Sequence, residues 1–288
     1  MNKILATDLD GTLFYPKQRH RYISKANLNF IRRWIDEGNR LVLVTSRSEE
    51  FLKGVQKEID RPVDLIVCNS SRIIANGEVI RDVSVPNKTM ASILDKINKR
   101  YKPTAYLMTT DSYPCLIKNL RVTGKILMAF YKLWWKHQGM YREPFTLSNE
   151  IFDSEVKEKG LIYKIMVFFG LGRGKTNFSK DLNKVFRQEF PNVEFSWIGK
   201  VIEITPKECS KGAGLEYYCK NQKIDPKDVY VVGDSGNDIS MFNSFKDNSF
   251  CMKHSNKAVK KYAKAIIKNV AALEKILLVK EGKTNEPN

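Results

Sequence analysis

Long apolar runs are missing from this 288-residue chain. None approaches the ~18 residues needed to span a bilayer, so no helical membrane anchor is expected. No signal peptide is expected at the N-terminus, because Lys3 precedes only three apolar residues before Asp8. The expected location is therefore the cytoplasm. Histidine is scarce, at three (His20, His137, His254), and the five cysteines are odd in number and scattered. Cys68, Cys115, Cys209, Cys219 and Cys251 form no Cys-x-x-Cys, which argues against a zinc site or a disulfide framework. Repeats and low-complexity segments are also absent. Acidic residues fall short of basic ones, leaving a formal charge of +17. That charge suits nucleic acid, an anionic surface or an anionic small substrate. The Lys and Arg are spread along the whole chain in runs no longer than two, as at Lys260-Lys261. A general basic surface fits this better than a nucleic-acid footprint.

What is present begins at once. Ile4, Leu5 and Ala6 form a short apolar run that ends in Asp8-Leu-Asp-Gly-Thr12. Such a run reads as a buried parallel strand. In open α/β sheets the ligand crevice lies at the carboxyl ends of those strands. Two carboxylates two residues apart suit a nucleophile and a general acid/base, with a divalent cation holding them. Gly11 lets the backbone turn away directly afterwards. The competing reading is a solvated turn, since Asp and Gly are common in turns.

The next stretch alternates helix and strand. Ser24 is the expected N-cap of a helix through Glu37, with Leu28, Ile31, Trp34 and Ile35 inward and Gly38 ending it. Leu41–Val44 is a second buried strand, Glu49–Ile59 a helix and Leu65–Val67 a third strand. A hairpin should turn at Asn76-Gly77. Strands separated by helices at this spacing imply βαβ units and a parallel sheet. The middle reads differently. A helix to about Arg100 is followed by a strand at Thr104–Met108 and an amphipathic helix over Lys125–His137. A strand at Leu161–Phe169 and a Gly-rich turn, Gly170–Gly174, come next. A helix over Ser179–Phe190 and strands at Val193–Trp197 and Val201–Ile204 complete this section. From Lys207 the α/β pattern resumes, with a helix from Lys211, a strand at Val229–Val232, a short strand at Phe250–Met252 and a closing helix from Val270. The expectation is an α/β fold: a Rossmann-like doubly wound parallel core sheet, residues 1–83 and 207–288, with an inserted α+β cap domain, residues 84–206.

Four polar clusters stand at strand ends or helix starts: Asp8/Asp10, Thr45/Ser46, Lys211 and Asp234/Asn237/Asp238. On these the chain resembles the haloacid dehalogenase superfamily of phosphatases, in its Cof-type subfamily with a large α/β cap. The segments that carry the resemblance are DLDGTLF (Asp8–Phe14), TSR (Thr45–Arg47), ITPKECSKG (Ile204–Gly212) and GDSGNDISMF (Gly233–Phe242). They occur in order and span the chain. The resemblance implies a phosphomonoester hydrolase acting on a sugar phosphate or similar small metabolite. Asp8 would attack phosphorus to form an aspartyl-phosphate, and Asp10 would serve as acid and then base. Mg²⁺ would be held by Asp8, the Asp10 carbonyl and Asp234. Thr45, the Ser46 amide, Lys211 and Asn237 would bind the phosphate, with Asp238 supporting Lys211 or the metal shell.

Two positions depart from the family pattern: Ser46 stands where Gly usually follows the Thr, and Asn69-Ser70 replaces Asn-Gly. The Ser46 amide survives its substitution, while Ser70 bears on the cap hinge or the mouth of the site. Thr45 has a plainer reading as a helix cap. Tyr106, Tyr113, Arg121 and Arg173 are available for substrate contacts. Phe169 stands where the first Gly of a P-loop would be, so Gly170–Gly174 reads as a cap loop. Two alternatives remain: a phosphotransferase or mutase on the same site, and a non-catalytic basic protein that binds nucleic acid.

Overall fold

Strand β1 (Ile4–Thr7) lies in the middle of an eight-stranded sheet and is buried along its whole length. The structure is a computed structural model, and it describes residues 3–121, 133, 137–169, 185–198 and 201–278. On one side β1 pairs in parallel with β2 (Arg40–Val44), and on the other with β12 (Val229–Gly233). The sheet continues outward through β3 (Asp64–Val67) on the first side, and through β13 (Ser249–Met252) and β14 (Ala265–Ile267) on the second, all parallel. A hairpin, β4 (Arg72–Ala75) and β5 (Glu78–Asp82), adds two antiparallel strands at the β3 edge. It turns at Asn76 and Gly77, both with positive φ (53° and 80°), the pair of conformations an Asn-Gly turn supplies.

Successive residues of β1 face opposite sides of the sheet, and both sides are covered. Leu5 packs in a cluster with Phe30 and Trp34 of helix α1 (Lys25–Asp36) and Leu52 and Val55 of α2 (Glu49–Ile59). Ile4 and Ala6 pack with Leu215 and Tyr218 of α5 (Lys211–Asn221) and Met241 and Phe242 of α6 (Ile239–Ser244). The core is thus a doubly wound α/β sheet. Ser24 caps α1 as its sequence suggests, its hydroxyl accepting from the Asn27 amide at 3.4 Å.

A second sheet of six strands is built by the chain between β5 and α5. Its members are β6 (Ala105–Thr110), β7 (Leu116–Asn119), β8 (Thr146–Leu147), β9 (Ile162–Phe168), β10 (Val193–Ile198) and β11 (Val201–Pro206). They are arranged β10-β11-β9-β6-β7-β8 and are antiparallel except for β7 with β8. Helix α3 (Asn87–Tyr101) lays Met90, Ile93, Leu94 and Ile97 on this sheet, and the unit has a hydrophobic cluster of its own around Tyr106, Phe152 and Phe195.

Among the described residues, strands β7, β8 and β14 and helix α4 (Asn149–Ser154) are additions to the sequence reading. The closing helix expected from Val270 is a tight turn over Val270–Leu273 followed by one short helical turn, Glu274–Leu277. The amphipathic stretch 125–137, apart from Leu133 and His137, lies outside the described residues. So do the Gly170–Gly174 turn with Arg173, the start of the helix expected over Ser179–Phe190, and the tail 282–288. No described helix is long and apolar enough to cross a membrane.

Candidate active site

Strands β1 and β12 end side by side, and the chain beyond them holds the acidic residues. The Asp8 amide donates to the Val232 carbonyl at 3.0 Å, extending the pairing one step past β1. Lys211 approaches from the first turn of α5, which is set by the Ser210 cap. Its Nζ donates to Asp8 Oδ1 and to Asp238 Oδ1, both at 2.6 Å. All three groups are buried. Gly212 allows this approach, because a Cβ there would stand 2.5 Å from the Ser240 carbonyl oxygen. Burial opposes the charge on Lys211, but Asp8 and Asp238 outweigh it and raise its pKa. Burial pushes Asp8 from 3.8 up to about 8; Lys211 pulls it down, while Asp238 and Asp234 push it further up. One ammonium faces three carboxylates, so the site is short of positive charge.

Where that charge belongs is visible in the carboxylate contacts. Asp238 has none to spare: its Oδ2 accepts from the amides of Asp234 and Ser235, both at 2.9 Å, and from the Ser235 hydroxyl at 3.2 Å. Asp8 Oδ2, by contrast, is buried with no hydrogen-bond partner. One carboxylate oxygen from each of Asp8, Asp234 and Asp238 lies within 4.8 Å of the other two. An orphaned buried carboxylate oxygen in an all-oxygen cluster suits a hard divalent cation. Gly11, with φ of 83°, is part of the same cradle, since a Cβ there would stand 2.4 Å from Asp234 Oδ2. Thr12 donates to Asp234 Oδ1 at 3.2 Å. His254 Nε2 lies 3.7 Å from Asp234 Oδ2, and the Tyr15 ring lies tilted against the imidazole, centroids 4.1 Å apart. Sequence reasoning assigned His254 nothing, since a lone His carries no local signal.

Asp10 is directed elsewhere. Its carboxylate is half-exposed and receives two hydrogen bonds from Arg47, at 2.6 and 2.8 Å. Asp8 and Asp10 therefore have separate partners, although only Leu9 lies between them. The β1–β2 register sets Thr7 beside Leu43, which brings Thr45 and Ser46 to the same end of the sheet as Asp8. Thr45 is buried, and its hydroxyl oxygen accepts from the Arg47 amide at 3.1 Å. It does not cap α2; Ser48 does. The Ser46 carbonyl accepts from Lys164 Nζ of β9 at 2.7 Å. Asn237 Oδ1 lies 2.7 Å from the Ser235 hydroxyl.

Asn237 and Lys211 open on a cavity of about 740 Å³ between the two sheets. Asn69, Glu203, Thr205 and Ser196 share its wall. Asn69 donates to the buried Glu203 carboxylate at 3.0 Å, and Lys164 lies 3.9 Å from the same group. Ser70 has a φ of 75°, a conformation that favours glycine, and is the last of three successive left-handed residues. Tyr106 is not at the cavity; it stacks on Phe152 inside the second sheet's core, its hydroxyl bonded to Asn98.

The profile of the haloacid dehalogenase-like hydrolases matches residues 5–274. The chain belongs to that family. A Bacillus subtilis relative, 5-amino-6-(5-phospho-D-ribitylamino)uracil phosphatase YwtE, is 25% identical over 83% of this chain and 84% of its own. A Mycoplasma pneumoniae relative, whose phosphatase name is provisional, is 32% identical over 92% of each chain. The solved structure of the HAD subclass IIB sugar phosphatase BT4131 superposes with a TM-score of 0.70 at 17% identity, covering 96% of this chain and 98% of that one. At that identity the likeness is one of fold. This chain is a haloacid dehalogenase-type hydrolase, and both of these relatives carry phosphatase names.

Proposed function

We propose that the chain is a Mg²⁺-dependent phosphomonoesterase that works through an aspartyl-phosphate on Asp8 and accepts a small phosphorylated metabolite. The observation that carries this is the state of Asp8: one oxygen is fixed by Lys211 at 2.6 Å, and the other is buried without a partner among carboxylates. A carboxylate so held has its orientation set and an oxygen left to act.

In this reading Asp8 attacks phosphorus, and the bond from phosphorus to the leaving oxygen breaks as Asp10 gives that oxygen a proton. Asp10, now ionised, takes a proton from water, whose oxygen attacks the phosphorus. Inorganic phosphate leaves and Asp8 is restored. The Thr45 hydroxyl, the Ser46 amide and Asn237 donate to the phosphate oxygens, and Lys211 offsets their charge. Asp8, the Asp10 carbonyl and Asp234 would hold Mg²⁺, with Asp238 keeping Lys211 in place. The cation, when bound, lowers the repulsion between a phosphate dianion and the carboxylates. The unit at 84–206 acts as the cap and supplies part of the wall of the 740 Å³ cavity, a size suited to a small phosphorylated metabolite such as a sugar phosphate.

The test is phosphate release from 4-nitrophenyl phosphate. Turnover should need Mg²⁺, stop with chelator and be lost in Asp8→Asn. Full activity in that variant would remove Asp8 as the nucleophile.

A further inference from the structure

Arg47 belongs to the second sequence motif, but neither the nucleophile, the phosphate nor the cation requires it. Its surroundings point to a different task. The guanidinium donates from Nε to Asp10 Oδ2 at 2.6 Å and from Nη2 to Oδ1 at 2.8 Å. A two-point contact of this kind fixes the plane of a carboxylate as well as its place. Each Asp10 oxygen keeps a second lone pair, so the group can still carry the proton it is to deliver. The guanidinium cannot easily drift. It stacks on Phe51 at 3.9 Å, and the Arg47 backbone is tied to Thr45 Oγ1 and to the Cys68 amide.

The remaining donor reaches the inserted unit. Arg47 Nη1 donates to the Tyr141 carbonyl at 2.8 Å. Tyr141 is anchored in the core, not in the cap. Its ring packs edge-on to Phe14 at 5.3 Å and to Tyr22 at 5.8 Å. Its hydroxyl accepts from the Gln18 amide at 3.1 Å and lies 3.0 Å from the carbonyls of Arg21 and Tyr22. Two residues on, the Glu143 carboxylate accepts from the amide and hydroxyl of Ser48, the neighbour of Arg47. One segment of the insertion thus grips residues 47 and 48 while plugging the aromatic pocket that begins at Phe14.

We infer that Arg47 is a positioning residue that holds the Asp10 carboxylate for proton transfer and, through the Tyr141 carbonyl, makes that placement depend on the docked cap segment. The inference rests on Asp10 being the acid, as proposed above. When the proton leaves Asp10, the guanidinium meets the new negative charge without rearranging. If Tyr141 withdraws, Arg47 loses one of its side-chain anchors, and the acid is set less firmly.

A leaving-group series separates this from a structural role. Phenyl phosphates with progressively less acidic phenols need progressively more help from an acid. kcat/KM is measured across the series, from 4-nitrophenyl to phenyl phosphate. Asp10→Asn should steepen the dependence, losing ~100-fold or more on phenyl phosphate. Arg47→Ala should steepen it as well, by ~10-fold or more on phenyl phosphate and ~3-fold or less on 4-nitrophenyl phosphate, since it acts only through Asp10. Arg47→Lys, which keeps charge without the two-point contact, should fall between and keeps the test open should the alanine variant fold poorly. Adding Arg47→Ala to Asp10→Asn should cost nothing more on phenyl phosphate. Tyr141→Phe, which keeps the ring and removes the hydroxyl contacts, should steepen the series mildly. A uniform loss across the series in both Arg47 variants, with Asp10→Asn still steep, overturns the inference and leaves the phosphatase reading intact. No steepening in Tyr141→Phe overturns the link to the cap segment. A flat response in Asp10→Asn overturns the acid assignment beneath both.

Discussion

Asp8 is where charge, burial and chemistry meet, and it sets a pH signature for the whole protein. Between its ordinary value of 3.8 and about 8, the folded group holds a proton that the unfolded chain has released. Asp234 is raised in the same direction by burial and by Asp238. The folded state therefore binds more protons across that window, and cation-free stability falls as pH rises through it. A divalent cation favours the ionised carboxylates, so its stabilising effect grows as pH rises. Thermal melts should show a lower Tm at about pH 8 than at about pH 5 with chelator, and a larger gain from Mg²⁺ at the higher pH. Equal gains at both would detach the cation from Asp8. Much at this scale is legible in the sequence. Asp8, Lys211, Asp234 and Asp238 form the cluster their motifs suggest, because each stands where a strand ends or a helix starts. His254, Lys164 and Glu203 are not legible. They reach their partners only through tertiary packing, and a single polar residue has no local pattern to betray it.

Helix α5 shows how an element delivers a residue. Lys211 reaches the carboxylates because the helix start lies close against α6 and the loop after β3. Gly212 faces the Ser240 carbonyl, and a Cβ on Gly214 would stand 2.2 Å from Ser70 Cβ. Both neighbours are constrained, Ser240 by its helix backbone and Ser70 by its left-handed conformation. Gly212→Ala and Gly214→Ala should each cost ~1–3 kcal/mol by overpacking. Gly212→Ala should also reduce kcat more than Gly214→Ala, because it displaces the residue next to Lys211. Urea titrations and aryl phosphate turnover measure the two effects, and a Gly212→Ala variant with full activity would show that the close approach is not needed. Helices α1 and α2, with clear apolar spacing, were readable to within a residue or so, whereas α5 has little such spacing and was placed by its Lys211 start. The misses, β7, β8, β14 and α4, span six residues or fewer. Elements that short cannot display a period, and β14 exposes Ile266 at the sheet edge, against the usual inward placement.

At the scale of the molecule, the order of apolar runs was enough to anticipate a parallel core with an insertion, since βαβ spacing leaves few other topologies. How the insertion is held down was beyond reach. Tyr141 lies in a stretch with no periodicity, and its role comes from a pocket built by Phe14, Tyr22 and Phe51. The central place of β1 has a further consequence, for the order in which the protein is made. One neighbour, β2, is translated soon after it, but the other, β12, follows only after the whole insertion. Until then β1 has a bare edge on the ribosome, able to pair with any strand it meets. A chain ended at residue 206 should therefore aggregate or bind chaperones and lack a cooperative melt, while the full chain melts cooperatively; a soluble, cooperatively folded fragment would show that β12 is dispensable. The central strand of the sheet is thus one whose pairing is completed only when Val229–Gly233 has been made.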